Sequence, residues 1–151
     1  METAIPVMLL INYLISYFLM SNIMVYSKDH LYNHWNKIYM GLFMASLMGL
    51  AELWVMGQHM VNNQALMIYN VIFAVIAISS AIAIRKQTLV NDSQFLKSMI
   101  EHHSSALLMA DQVLQKTQDQ EIAQLSNHII QSQSNEINQM TQLLERMAHR
   151  I

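Results

Sequence analysis

Cysteine is absent from this 151-residue chain, which removes disulfides, thiolate metal sites and thiol catalysis together. Proline occurs once and glycine three times, and neither occurs after Gly57, so the second half is expected to form unbroken helices. Charge is scarce. Asp, Glu, Lys and Arg make up 12% of the chain, about half the ~25% of an ordinary globular domain. A basic excess is missing too: the net charge is −2, which supplies no field to recruit nucleic acid. Neither His-Glu-x-x-His nor Glu-x-x-His occurs, so zincin and di-iron carboxylate sites lack their motif. Every glycine lies in an apolar run, which excludes a phosphate-binding loop, and no Ser-His-Asp set is suggested. An enzyme is not expected.

Apolar residues are abundant, at 54%. Between Glu2 and Arg85 the only charged residues are Lys28, Asp29, Lys37 and Glu52, whereas charge and Gln, Asn and Ser dominate from Arg85 onward. The two halves suit different solvents. Three uncharged or nearly uncharged runs, residues 6–26, 38–57 and 65–84, are long enough to cross about 30 Å of hydrocarbon. The first lacks the basic start and small-residue cleavage site of a signal peptide and reads as a retained helix. The second carries Gly41, Ala45, Gly49 and Gly57 at spacing four, broken by Leu53, a ladder that lets another helix approach closely in lipid. Ala74, Ala77, Ser80 and Ala81 form a second small face on the third. Residues 1–86 are therefore expected to form a three-span transmembrane domain, with Lys28–Lys37 as an interfacial loop. The loop and the chain after Arg85 lie on one side, which holds Lys28, Lys37, Arg85 and Lys86, so the charge count places the C-terminal part in the cytoplasm.

Residues 91–151 read as a water-soluble two-helix hairpin. Asp92 or Ser93 is the expected first cap, and Thr117 or Asp119 the second. Phe95, Met99, Ala106, Ala110 and Val113 recur at three and four as one apolar face, with Leu96, Ile100, His103, Leu107 and Leu114 as an adjoining seam. The second helix has Ile122, Leu125, Ile129, Gln133, Glu136, Met140, Leu143 and Met147 on one face, and Ile130, Ile137, Leu144 and Ile151 on another. Two helices cannot cover both seams from water. Self-association is expected, as a four-helix bundle from two chains.

Met99, His102, His103 and Met109 fall within three turns and share a broad face. Folding the helices back near Gln118 brings the His pair toward Gln133 and Glu136, Met99 toward Glu136 and Met140, and Met109 toward His128. Imidazole with thioether favours Cu(I) or Ag(I), and Zn²⁺ is served by the His pair with Glu136. A structural hydrogen-bond network with methionine as core filler fits the same periodicity. In the second apolar run, Met40, Met44, Met48, Glu52, Met56 and Met60 recur at spacing four. They are a candidate intramembrane path in which Glu52, costly in lipid, would need a partner such as Asn12, Asn22 or Asn70. His30, His34 and His59 would extend such a relay, although exposed interfacial histidines are ordinarily inert.

Asp92, Phe95, Met99, His102-His103, Met109-Ala110, Gln133, Glu136-Ile137 and Met140 together resemble the CopM-like family (domain of unknown function 305), in the branch with three N-terminal transmembrane helices. The resemblance covers nearly all of the soluble part. It implies a helical, ferritin-like fold and copper or silver binding and tolerance, with Met99, His102, His103, Met109, Glu136 and Met140 as metal ligands and His128 and Glu101 as weaker candidates. Glu101 stands where the family often has proline. The family's soluble domain is usually extracytoplasmic, opposite to the side that the charges favour, and a bacterial inner (plasma) membrane is the expected location. The reading is thus a membrane-anchored Cu(I)/Ag(I) protein, self-associating and served by metal-handling partner proteins. A non-metal helical interaction module and a small metal transporter component are the alternatives.

Overall fold

The computed structural model describes residues 4–20 and 22–149, and the side chains of all of these but Gln58 and Met60. The described residues are helical, with no strand. They form two compact units: Met1–Ser21 with Trp35–Leu89, and Asn22–His34 with Val90–Ile151. The second unit is therefore discontinuous. It takes in residues 22–34, which the sequence divides between the end of the first apolar run and the loop that follows it.

The first unit holds α1 (Ala4–Ile15), which continues as a π-helical turn over Ser16–Met20, then α2 (Trp35–Met60) and α3 (Asn63–Lys86). The helices expected over 38–57 and 65–84 are present and slightly longer. The one expected over 6–26 is displaced: its helix ends at Met20, and residues 22–26 belong to the other unit. Asn62 caps α3 by accepting the Ala65 N–H at 2.8 Å. Gln87 ends the helix in the left-handed region at φ 50°, a position usually given to glycine. Its side chain offsets the strain, donating to the Ile84 carbonyl at 2.6 Å and accepting from Asn36 Nδ2 at 2.9 Å. That contact, with the Tyr39 hydroxyl on the Thr88 carbonyl at 2.9 Å, sets the start of α2 beside the end of α3.

Ile5, Leu53 and Phe73 form the core of this unit. The small-residue ladder behaves as its spacing suggests. A Cβ on Gly41 would lie 3.0 Å from the Tyr13 ring of α1, and one on Gly49 would lie 2.6 Å from the Phe73 ring of α3. Ala45, Ala77 and Ser80 are buried as well. Asn12, buried on α1, donates to Glu52 Oε2 at 3.1 Å. Side chains lean toward the N-terminus of their own helix, so in an antiparallel pair these two lean toward each other. Asn70 instead bonds its own helix, at the Leu66 carbonyl. Trp35–Gly57 and Asn63–Lys86 are long and apolar enough to cross a membrane, and only 28% and 17% of their most apolar windows are buried. Many of their large side chains are exposed, Trp54 at 88%.

The second unit is a hairpin of α4 (Asp92–Leu114) and α5 (Gln120–Ala148), with a 3-10 turn at Lys28–His30 in its N-terminal segment. Asn91, not Asp92 or Ser93, caps α4 by accepting the Gln94 N–H at 3.0 Å. Asp92 then lies in the first turn, where a carboxylate suits the helix dipole. Asp119 caps α5, accepting from Glu121 and Ile122 at 2.8 and 3.1 Å. The core is Ile100, Leu107 and Ile137, with Ile130, Met140, Leu144 and Tyr32 packed around it. Burying Ile100 fully stabilises the hairpin by about 1.5–3 kcal/mol. The seams compete, and the one through Leu96, Ile100 and Leu107 is buried. The adjoining face is partly open: Phe95 is 50% exposed, and Val113, Ile122 and Leu125 are exposed as well, while Ala110 is buried. One partner helix covers only one stripe. Ile151 and the Met60 side chain lie outside the described residues.

Candidate functional site

Five consecutive residues at the centre of α4 divide its surroundings. Ile100 enters the core, and Glu101, His103 and Ser104 are buried beside it, while His102 is exposed. Neighbours on an α-helix point about 100° apart, so the His-His pair splits. His103 is 9% exposed, and its Nδ1 lies 3.1 Å from Glu136 Oε2 of α5. That is ion-pair distance, yet the carboxylate is not aligned for a hydrogen bond, and the buried Nδ1 has no hydrogen-bond partner. Glu136 is held from its own helix by the Ser132 hydroxyl, which donates to Oε1 at 2.8 Å. The His102 ring stands 6.0 Å from that of His103 between centroids, tilted by 61°.

The remaining candidates are scattered. Met99, one turn before His103, is half-buried, and Met109 is 50% exposed. His128 is exposed. Met140 packs on Ile100, Leu107 and Ile137 as part of the core. Among the described residues no group of three His, Asp or Glu converges on a metal position, so His102, His103 and Glu136 do not close a zinc-type set within one chain. In the first unit Met40, Met48 and Met56 face outward, with Met44 half-buried. Glu52, in the same row, is half-buried and paired with Asn12. A groove lined by Tyr32, Ser93, Lys97, Thr141, Leu144 and Met147 holds none of the six leading candidates.

Glu101 does something the sequence did not reveal. Its Oε1 accepts the Tyr32 N–H at 2.7 Å, and its Oε2 lies 3.1 Å from His34 Nε2. Both side chains of that pair are buried. One turn on, the fully buried Ser104 hydroxyl accepts the Tyr26 N–H at 2.9 Å and lies 2.8 Å from His30 Nδ1. Residues 22–34 thus form a strap across α4. Its peptide groups and histidines are satisfied by two α4 side chains, and Tyr32 completes the core. The signal in the sequence was faint: Glu101 and Ser104 sit three apart beside the apolar seam, where an unpaired carboxylate or hydroxyl would be costly.

An all-helical protein in which an apolar three-helix unit accompanies a histidine-bearing hairpin is the class that these features define. The chain belongs to the family described as a domain of unknown function (DUF305), whose profile matches residues 83–150. An uncharacterized protein of Acanthamoeba polyphaga mimivirus is 33% identical over 144 residues, covering 95% of this chain and 93% of that protein. That likeness runs through both units. No solved structure matches.

Proposed function

We propose that this protein is a membrane-anchored metal-binding protein of Cu(I) or Ag(I) homeostasis or tolerance, in the CopM-like branch that carries three N-terminal spans. The observation that carries the reading is His103 Nδ1, a buried imidazole nitrogen without a hydrogen-bond partner. A buried polar atom of this kind ordinarily finds a partner, and a soft metal ion supplies one. Met99, half-buried one turn before it, and His102, the adjoining ring, add donors of the type that Cu(I) and Ag(I) prefer. Glu136 offers charge at 3.1 Å. Zn²⁺ is the weaker candidate, because among the described residues no third hard ligand joins His103 and Glu136. Met140, in the core, is filler.

The test is competition titration of Cu(I) and Ag(I) on detergent-purified full-length protein. His103→Ala, with folding checked by circular dichroism, is expected to lose most of the affinity. Met140→Leu is expected to keep it. A folded wild-type chain that binds neither ion would sink the metal reading and favour the interaction-module alternative.

The open face of the hairpin motivates a second element of the proposal. Phe95, Met109, Val113, Ile122 and Leu125 are exposed together with the half-buried Met99 and Ile129, more apolar surface than a lone soluble hairpin tolerates. A second copy would cover it as a four-helix bundle. Sedimentation equilibrium in detergent is expected to give two or more chains per particle, and one chain per particle at micromolar concentration would remove this element.

A further inference from the structure

The strap is built inside out. Its polar groups turn inward: His34 is buried and paired with Glu101, and His30 is half-buried on Ser104. The Tyr26 and Tyr32 peptide N–H groups are consumed by the same two α4 residues. Asp29 and Asn33 are exposed at the turn and after it, and the other outward side chains are mostly apolar. Ile23 is 71% exposed, and Met24, Tyr26 and Leu31 are exposed with it, beside the exposed Lys28 of the 3-10 turn. A surface loop in water seldom leaves four large apolar side chains outward while its histidines are turned in.

Chain connectivity limits where the outward side can be. Ile23 follows the last π-helical residue, Met20, by three positions, so it lies within about 11 Å of that helix end even at full extension. Leu31 precedes Trp35, the first residue of α2, by four, and lies within about 14 Å. The polar layer on each side of a bilayer is roughly 5–8 Å thick. If the apolar helices cross a membrane, both ends of the strap are tethered next to this layer. An aromatic ring and a lysine beside exposed aliphatic side chains are what the layer accommodates, with the ring at headgroup level and the ammonium on lipid phosphate.

We propose that residues 22–34 dock the second unit onto the lipid surface, with Ile23, Met24 and Leu31 entering the headgroup–acyl boundary and Lys28 meeting anionic headgroups. The inference rests on the membrane reading of α2 and α3 and goes beyond it. Anchoring alone would leave the strap in water, whereas here the soluble unit itself binds lipid through one face.

The absence of cysteine makes the test direct. Single variants Ile23→Cys and Leu31→Cys are labelled with bimane in the full chain and reconstituted in phosphatidylcholine vesicles, with and without phosphatidylglycerol. Brominated-tail lipid then reports contact by loss of fluorescence. Val75→Cys on the outward face of α3 is the span control, and Gln118→Cys in the hairpin turn is the aqueous control. Loss at Ile23 and Leu31 approaching that at Val75, and deeper with phosphatidylglycerol, is the expected result. Full emission at both strap sites while Val75 is quenched would overturn the docking and leave the spans standing. Emission shifted to the blue but untouched by brominated lipid would assign the strap surface to a second copy instead and equally overturn it. No quenching at Val75 would overturn the membrane reading itself. Quenching at the strap that is equal in both vesicle types would remove Lys28 from the interaction.

Discussion

Replacing Glu101 by alanine is expected to free residues 22–34 from α4. The carboxylate is the acceptor for the Tyr32 N–H at 2.7 Å and the partner of His34 at 3.1 Å, with both side chains buried. Removing one member of a buried pair ordinarily costs about 3–5 kcal/mol, because the other is left uncompensated. The stranded Tyr32 N–H adds roughly 1–3 kcal/mol if it stays buried. These costs have a ceiling. Once they exceed the free energy that docks the strap, the strap leaves, and His34 and the Tyr32 amide return to water. The loss is therefore local. Hydrogen exchange is expected to show protection vanish across residues 26–34 and fall modestly at Ile100, which loses the cover of Tyr32, while the centre of α5 is nearly unchanged. Glu101→Gln keeps one carbonyl oxygen for the Tyr32 N–H and is expected to lose less. Protection of the strap unaltered in Glu101→Ala would show that the Ser104 bonds and the apolar contacts at Tyr32 suffice to hold it, and the account that rests its docking on Glu101 would be wrong.

The same residue shows where sequence reading reached its limit. Helix-length apolar runs, the glycine ladder and the Asp119 cap are local or periodic features, and α2, α3 and the hairpin follow from them. Asn12 was one of three asparagines legible as a partner for Glu52, because a carboxylate among apolar helices leaves few candidates, and the choice among them needed the packing. The strap was not legible, because it depends on pairings about 70 residues apart: Tyr26 and His30 with Ser104, Tyr32 and His34 with Glu101. No period or propensity encodes such a contact. The interfacial reading of residues 28–37 was chemically reasonable and still missed that His34 would be buried. The divided His pair has a related cause. Periodicity offered two apolar seams on α4, and which of His102 and His103 points inward depends on which seam the partner helix covers. Met140 was ambiguous for the same reason, since a thioether reads equally as ligand or as core until its neighbours are known.

In the first unit the largest expected effect comes from Gly49. A methyl group there would lie 2.6 and 2.8 Å from two carbons of the Phe73 ring, closer than carbon atoms approach, so something must shift. The ring is poorly placed to yield, because Phe73 is itself buried against Ile5 and Leu53. Gly49→Leu therefore pushes α2 and α3 apart at a contact where the small residue lets the helices approach closely. Over-packing of a tight core costs about 1–3 kcal/mol, and a leucine on a glycine site belongs at the upper end. Phe73→Ala alone opens a cavity at about 3–5 kcal/mol. The two faults are complementary, since the space lost by one is what the other adds. The pair Gly49→Leu with Phe73→Ala is expected to be less destabilising than the sum of the single changes by more than 1 kcal/mol, a coupling typical of residues in contact. Unfolding in mixed detergent, followed by far-ultraviolet circular dichroism, measures all three variants against the native chain. Additive losses would mean that the helices already separate elsewhere, and that the glycine ladder does not set their approach.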